Sequence, residues 1–168
     1  MLSGCRLRRN AMTDNHTPKQ RSANMARIRS SGTVPEEQLY RAVRIALGHR
    51  WRIDRNVIAM PGRPDVVIPS LRLVMFADGC FFHGCATHYR APLSNREYWL
   101  PKIVRNIERD RSQRSALEAS GWSVVRIWEH ELTRKKLPET QLILGRELEQ
   151  RVAEHRRSRR IGMPRATV

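Results

Sequence analysis

The sequence predicts an α/β fold in which helices flank a mixed central sheet. Segments with the apolar periodicity of helices alternate with short apolar segments of strand composition, a pattern typical of layered α/β proteins. The segments 65–68 and 71–76 are separated by only a tight Pro69-Ser70 turn, which predicts an antiparallel hairpin. A long helical segment leads from the hairpin to the apolar segment 122–128, so that strand is expected to run parallel to its neighbour with a right-handed crossover.

Capping patterns predict where the principal helices begin and end. Thr33-Val-Pro-Glu36 and Ser94-Asn-Arg-Glu97 have the capping-box spacing, and Gly48 and Gly121 follow the ends of the same two helices. The near-continuous apolar run at 122–128 suits the buried middle of a sheet. In chain order, the predicted elements are helices over 17–32 and 33–48, strands over 51–58, 65–68 and 71–76, a loop over 77–93, a helix over 94–119, a strand over 122–128 and a helix over 139–155.

A chain of 168 residues has the length of one domain with room for tails. Both ends are basic and lack apolar periodicity, so residues 1–16 are predicted to be a disordered leader, 17–155 the folded domain and 156–168 a disordered tail. No apolar run has the length of a membrane span, and the first residues lack a secretory signal. Three cysteines are too few for a disulfide scaffold. A cytoplasmic protein without a membrane partner is expected.

The charge balance predicts a polyanionic partner. Lys and Arg number 32 against 16 Asp and Glu, which gives a formal net charge of +16, and all but four of the basic residues are arginine. A GC-rich genome would favour Arg over Lys but would not produce a twofold excess of positive charge. Because a guanidinium binds two phosphate oxygens at once, such a surface suits a nucleic-acid backbone. The binding should weaken steeply with added salt, since phosphate contacts release counterions.

Cysteines and histidines gather in the loop that follows the predicted hairpin. Cys80, Cys85 and His88 lie within nine residues, and structural zinc sites use four such ligands in a tetrahedron. His130, just after the last predicted strand, is the expected fourth ligand, because pinning the loop to that strand would keep a long irregular segment ordered. The alternative is a pair of buried free cysteines with unrelated histidines. With these four as ligands, His83 is left for another role.

Acidic residues suited to Mg²⁺ flank the predicted hairpin. Asp65 opens its first strand and Asp78 follows its second, so oxygen ligands could meet at one edge. Asp110 lies on the long helix, and Glu36 lies near the start of the helix that follows Thr33. The alternative is that the helical carboxylates are simply solvated and that Glu36 serves only as a cap.

Three motifs occur together in this chain: Pro61-Gly-Arg-Pro-Asp65, Phe76-Ala-Asp-Gly-Cys-Phe-Phe-His-Gly-Cys85 and Asn106-Ile-Glu-Arg-Asp-Arg111. With the shorter segments 24–27, 97–99, 102, 121–122 and 128–130, they resemble the very-short-patch repair (Vsr) DNA mismatch endonuclease family from about residue 22 to 132. A metal loop, this turn and this helix rarely coincide, so the combination is specific, although no single piece would suffice.

The resemblance implies the fold of type II restriction endonucleases, a mixed central sheet flanked by helices, with a structural zinc added. It implies Mg²⁺-dependent nicking of double-stranded DNA 5′ to the thymine of a T:G mispair, which starts repair of deaminated 5-methylcytosine. A nicking enzyme needs one active site, so a monomer is expected. The same resemblance implies location at the bacterial nucleoid. It also implies mismatch-repair proteins as candidate further partners.

The resemblance also assigns roles to the acidic and imidazole groups. Asp65 is the implied principal Mg²⁺ ligand and His83 the implied general base, a role that its intrinsic pKa permits. Asp110 and Glu36 match acidic positions that support metal-bound water and the active-site network. Asp78 stands where some members carry His, and a role as metal ligand or water orienter is expected for it.

Four residues are implied DNA contacts. Phe81 and Phe82 match an aromatic wedge inserted beside the mispair, Met25 matches a residue that enters from the other groove, and Arg63 lies in the Pro-Gly-Arg-Pro-Asp turn. A mispair costs least to unstack, so a wedge selects mismatches; the alternative is that the two aromatic rings pack in the core. Phe82 stands where Trp is common in the family, and His130 where many members carry Cys.

Two other functions remain open at this point. A related nuclease could cut a different lesion or a restriction site, since recognition would be tuned near Ala77-Asp78 and Phe82. A zinc-stabilised DNA-binding module without catalysis would have no need of Asp65, His83 and Asp110. The presence of all three groups favours a nuclease.

Overall fold

The structure is a computed structural model that describes residues 17, 19–20, 22–23 and 31–160. Its elements are, in chain order, α1 (Val34–Leu47), β1 (Asp54–Arg55), β2 (Val66–Ile68), a 3-10 turn (Pro69–Leu71), β3 (Leu73–Asp78), α2 (Arg96–Ala119), β4 (Ser123–Trp128) and α3 (Leu137–Arg160). The predicted leader, Met25 and residues 161–168 lie outside the described residues. No helix among those described is long and apolar enough to cross a membrane.

The four strands form one mixed sheet in the order β1-β2-β3-β4. β2 pairs antiparallel with both β1 and β3, while β3 pairs parallel with β4 from Leu73 opposite Ser123 to Asp78 opposite Trp128. The predicted hairpin and the predicted parallel pair, connected through α2, are therefore confirmed. This mixed sheet with flanking helices fits the α/β fold of restriction endonucleases.

The first strand is much shorter than the predicted 51–58. Asn56 has a φ of 49°, in the left-handed region that ends a strand. The chain then turns twice, with the Met60 amide donating to the Val57 carbonyl and the Arg63 amide donating to the Met60 carbonyl. The prediction of one continuous strand over 51–58 is therefore wrong, because turns occupy its second half.

Smaller differences concern turns and helix ends. The hairpin connection is a 3-10 turn followed by Arg72 with a φ of 45°, rather than a two-residue turn. The N-cap of α2 is Asn95, with a φ of 54°, rather than Ser94. The last helix begins at Leu137 and continues to Arg160, so the first five residues of the predicted tail, 156–160, are helical. The bounds of α1, capped by Thr33 and followed by Gly48, agree with the prediction.

The sheet buries both of its faces. One face packs on α1 and α3 through Ile68, Leu73 and Met75, together with Leu39, Val43, Leu144 and Leu148. The opposite face packs on α2 through Val67, Val74 and Phe76, together with Leu117 and Val124. Because side chains alternate along a strand, Asp78 continues the row of Val74 and Phe76 and points to the α2 side. The packing of the core therefore places the buried carboxylate of Asp78 at the end of β3.

Shortening a core side chain on the α1–α3 face should cost much of the stability. Ile68 is fully buried, so Ile68→Ala is expected to lower the free energy of unfolding by about 2–5 kcal/mol in urea titrations. The matched control is Ile45→Ala, because Ile45 lies on α1 and is 73% exposed. Equal effects of the two substitutions would contradict this assignment of the core.

Candidate active site and metal centre

A cleft of about 640 Å³ opens at the carboxyl end of β3, beside α2. Since β2 and β3 are antiparallel, the residue before β2 lies next to the end of β3, which is how Asp65 reaches this place. The residues that line the cleft include five of those predicted from the sequence: Arg63, Asp65, Asp78, His83 and Asp110. Asn56, Arg109, Gln113 and Arg126 line it as well. Groups from four parts of the chain thus meet in one concave site.

Asp65 is a half-buried carboxylate beside β3. Its Oδ2 accepts a hydrogen bond of 2.8 Å from the Ala77 amide. The pKa of Asp65 is raised to about 6, chiefly by burial. The negative charges of Glu36 and Asp78 also raise it, while the hydrogen bond from the Ala77 amide and the charge of Arg126 oppose the rise. A carboxylate whose ionisation is opposed in this way gains from a bound cation, so Asp65 could hold a divalent metal.

His83 and Asp110 form a hydrogen-bonded pair. The Nδ1 atom of His83 lies 2.5 Å from Oδ2 of Asp110, and the His83 amide donates to the Gly79 carbonyl. Burial alone would raise the pKa of Asp110, but the hydrogen bond and charge of His83, with the charge of Arg126, lower it overall. With Nδ1 bound to an ionised carboxylate, Nε2 is the ring nitrogen that could accept a proton. The pair has the form of an oriented general base.

Arg126 is a site residue that was not predicted from the sequence. Its Nε and Nη2 atoms lie 2.5 and 2.9 Å from the two oxygens of Asp78, and Nη2 lies 3.3 Å from Oδ1 of Asp110. Both oxygens of Asp78 are thus engaged by Arg126, which gives this carboxylate an ion-pair role in the structure. Arg126 is the only charged residue in the apolar run 122–128, and that exception was the available signal.

Glu36 stands behind the cleft rather than in its lining. It is buried in the first turn of α1, where its carboxylate accepts from the Gly32 amide at 2.8 Å and from the Thr33 hydroxyl at 2.9 Å. Its Oε2 also lies 3.5 Å from Nδ2 of Asn56, which lines the cleft. Glu36 therefore forms the predicted cap and also acts on Asp65 through its charge.

Arg63 lies in a tight turn at the mouth of the cleft and has a φ of 52°. Its Nε is buried without a hydrogen-bond partner among the described residues. The preceding Gly62 has a φ of 76°, and a Cβ there would lie 2.7 Å from Oε1 of Gln113 on α2. The positive φ is what favours glycine at position 62, since the end of the flexible Gln113 side chain could move aside. The turn places the Arg63 guanidinium at the cleft, where it is suited to an anionic ligand.

The four predicted metal ligands come together on the other side of the loop. The ligand atoms of Cys80, Cys85, His88 and His130 all lie within 4.8 Å of one another. His130 Nδ1 lies 3.1 Å from Cys80 Sγ and 3.8 Å from Cys85 Sγ, and Cys85 Sγ lies 4.0 Å from His88 Nδ1. A zinc tetrahedron has edges of about 3.3–3.8 Å between such atoms. The cluster therefore fits a structural metal.

Glu129 supports this cluster and was not predicted. Its Oε1 accepts a hydrogen bond of 2.7 Å from the Cys80 amide, which ties the loop to the residue after β4. The backbone of the loop closes on itself through the Cys85 amide, which donates to the Cys80 carbonyl. The Glu129 side chain thus holds the loop to the edge of the sheet independently of a bound metal.

Phe81 and Phe82 form an aromatic wall next to the cluster. Both are half-buried, with ring centres 5.3 Å apart and lying 5.2 and 6.3 Å from the Trp99 ring centre, respectively. Nδ2 of Asn106 on α2 donates to the Phe82 carbonyl at 3.1 Å. Neither ring belongs to the two core clusters, so the alternative that the two rings pack in the core does not hold. Met25, the implied DNA contact from the other groove, lies outside the described residues.

Comparison with known proteins identifies the relatives of this chain. The family described as DNA mismatch endonuclease Vsr matches residues 13–89. Type II nicking enzyme V.NaeI of Lentzea aerocolonigenes is 45% identical over 114 residues, which is 66% of this chain and 68% of the relative. Type II nicking enzyme V.XorIIP of Xanthomonas oryzae pv. oryzae is 42% identical over 123 residues, which is 73% and 88% of the two chains.

A third relative carries the family's own name. DNA mismatch endonuclease Vsr of Escherichia coli is 37% identical over 133 residues, which is 78% of this chain and 83% of the relative. Identity at this level over most of both chains leads to one assignment. The chain belongs to the Vsr family of DNA mismatch endonucleases.

Proposed function

We propose that this DNA endonuclease nicks double-stranded DNA 5′ to the thymine of a T:G mispair, with Mg²⁺ as its catalytic cation. The observation that carries the proposal is the meeting of Asp65 with the His83–Asp110 pair in one cleft. An anionic metal ligand beside an oriented base is what hydrolysis of a phosphodiester requires. Membership of the Vsr family supports the choice of DNA and of the mismatch.

The chain's own groups divide the chemistry between them. Asp65 would hold Mg²⁺, and the charge of the bound cation would stabilise the scissile phosphate and the leaving oxygen. His83 would take a proton from water at Nε2, while Asp110 keeps Nδ1 protonated and the ring in place. Arg63, which lines the cleft, would bind a phosphate oxygen beside the scissile bond through its guanidinium.

Selection of the mispair is assigned to the aromatic wall. His83 directly follows Phe82 in the chain, so a ring inserted beside a mispair places the base near an adjacent phosphate. Inserting a ring costs a few kcal/mol of unstacking, and this cost is least where pairing is already weak. The net charge of +16 would supply the non-specific part of the affinity for DNA. We also propose that the protein acts as a monomer and that mismatch-repair proteins are further partners.

A second candidate is strand nicking at a different lesion or recognition site. V.NaeI and V.XorIIP are named type II nicking enzymes, and these names do not mention a mismatch. The same active-site groups would serve, and only the recognition of DNA would differ. A third possibility, a zinc DNA-binding module without catalysis, predicts that Asp65 is dispensable.

Strand-specific nicking separates these functions. Two duplexes identical except for T:G against T:A are incubated with Mg²⁺ or with EDTA, and each strand is labelled. Cleavage only beside the T:G thymine, lost in EDTA and reduced at least about 10³-fold in Asp65→Ala, is expected. Asp54→Ala is the matched control, because Asp54 pairs with Arg52 away from the cleft lining.

Each other outcome contradicts part of the proposal. Cleavage of both duplexes would favour the second candidate, and activity in EDTA would remove the catalytic cation. Binding without cleavage in several sequence contexts would favour the non-catalytic module.

Without a divalent metal, ionised Asp65 should destabilise the fold. Its pKa is raised from an ordinary value of about 4 to about 6 by burial, so stability is lost as pH rises through this range. In EDTA at pH 8, Asp65→Asn should therefore unfold at higher urea than the wild type, by roughly 1–3 kcal/mol. At pH 4 the two should be equal, and Asp54→Asn should show no such pH-dependent gain. Equal stability of Asp65→Asn and wild type at pH 8 would contradict the cost assigned to the ionised Asp65 carboxylate.

We further propose that the Cys80–Cys85–His88–His130 cluster holds one structural Zn²⁺. Elemental analysis of the purified protein should give about one zinc per chain, and His130→Ala should lose the metal and lower Tm. His155→Ala is the control, because His155 lies on α3 with its ring against Trp51. Full metal content in His130→Ala would contradict the assignment of the fourth ligand.

A further inference from the structure

We propose that Arg126 is a positioning residue of the nuclease site: it holds Asp110, and through Asp110 the base His83, while Asp78 anchors the guanidinium. This inference rests on the proposed function, because it concerns the orientation of the proposed base. It gives a function to the buried ion pair between Arg126 and Asp78, which takes no part in the proposed metal binding or proton transfer.

The backbone of the sheet brings Arg126 to this place. In the parallel register of β3 and β4, Arg126 stands opposite Phe76, and Trp128 stands opposite Asp78. The guanidinium carbon of Arg126 lies 4.9 Å from the centre of the Phe76 ring, and the side chain reaches forward along β3 to Asp78. The aromatic ring on one side and the Asp78 carboxylate at the end restrict the plane of the guanidinium.

The contacts of Asp110 are divided between two partners. Its Oδ1 lies 3.3 Å from Nη2 of Arg126, and its Oδ2 lies 2.5 Å from Nδ1 of His83. A carboxylate held at both oxygens cannot rotate without losing one of these contacts. The series Asp78, Arg126, Asp110 and His83 therefore joins β3, β4, α2 and the loop, and the orientation of His83 depends on its first members.

Burial makes this dependence strong. The side chains of Arg126, Asp78 and Asp110 are only 18%, 6% and 13% exposed, so the charges are poorly screened by water. A lysine would keep the positive charge but lacks the planar fork that contacts both carboxylates. Since a misplaced base slows the chemical step, loss of the fork should appear in the rate.

A purely structural role for the ion pair is the competing explanation. The two strands are already joined by a ladder from Leu73–Ser123 to Asp78–Trp128, so they do not need Arg126 in order to pair. An ion pair that only linked β3 to β4 would need only the contacts between Arg126 and Asp78. The additional contact with Asp110 on α2 is the observation that favours positioning.

Kinetics of Arg126→Lys test the proposal. On a T:G duplex, kcat should fall about 10-fold or more while KM for DNA stays within about twofold, because the base is misplaced and DNA binding is retained. Arg151→Lys is the matched control: Arg151 is paired with Glu147 at 2.9 Å and is 29% exposed, but it lies on α3. A wild-type kcat in Arg126→Lys would overturn the proposal, as would a rise in KM alone.

The ring tautomer of His83 gives a readout that needs no activity. In the zinc-loaded wild type, ¹⁵N spectra should show His83 protonated at Nδ1, since Asp110 accepts from that atom. In Arg126→Lys, a mixture of tautomers is expected at the same pH. Unchanged His83 signals would overturn the proposal even if DNA cleavage were not observed for the wild type. Failure of the wild type to nick would instead count against the proposed function.

A second variant covers the case in which Arg126→Lys does not fold. Asp78→Asn keeps the shape of the anchor but removes the charge that holds Arg126. It should lower kcat several-fold and shift the His83 tautomer in the same direction as Arg126→Lys. A folded Asp78→Asn protein with wild-type kcat and unchanged His83 signals would overturn the proposal.

Discussion

Negative charge gathered at the carboxyl end of β3 is the constraint around which the site is arranged. Asp65, Asp78 and Asp110 converge there, and Glu36 adds its charge from behind Asn56. Arg126 compensates Asp78 and Asp110, whereas Asp65 keeps a raised pKa. A half-buried carboxylate whose ionisation is only partly compensated is costly in a folded protein, and a divalent cation is the ligand that would relieve this cost.

The loop between β3 and α2 serves the cluster and the base together. His83 lies between Cys80 and Cys85, so a metal held by the cysteines would also limit the movement of the imidazole. The loop packs closely on α2: Gly84 has a φ of 67°, and a Cβ there would lie 2.8 Å from Cδ1 of Ile107. One helix thus supports the loop and supplies Asp110. Stability at the cluster and geometry at the cleft are therefore linked through the same few residues.

Local chemistry made much of the fold predictable. The bounds of α1 followed from Thr33 as a cap and Gly48 as a stop, and the hairpin and the parallel pair followed from connection lengths. The four clustered ligands were found because three of them lie within nine residues. The roles of Asp65 and His83 depended on the resemblance to a family, because spacing alone does not distinguish a catalytic carboxylate from a solvated one.

The sequence by itself determined the α/β class, the principal helices and the metal-ligand cluster, since these depend on neighbours along the chain or on distinctive residue types. Only the tertiary structure decided that β1 is short and that Asp78 is engaged by Arg126. Asp78 and Arg126 are 48 residues apart, and their contact follows from the register of two parallel strands. Register and the packing of α2 on the sheet are set by the whole core, so no local pattern in the sequence encodes that contact.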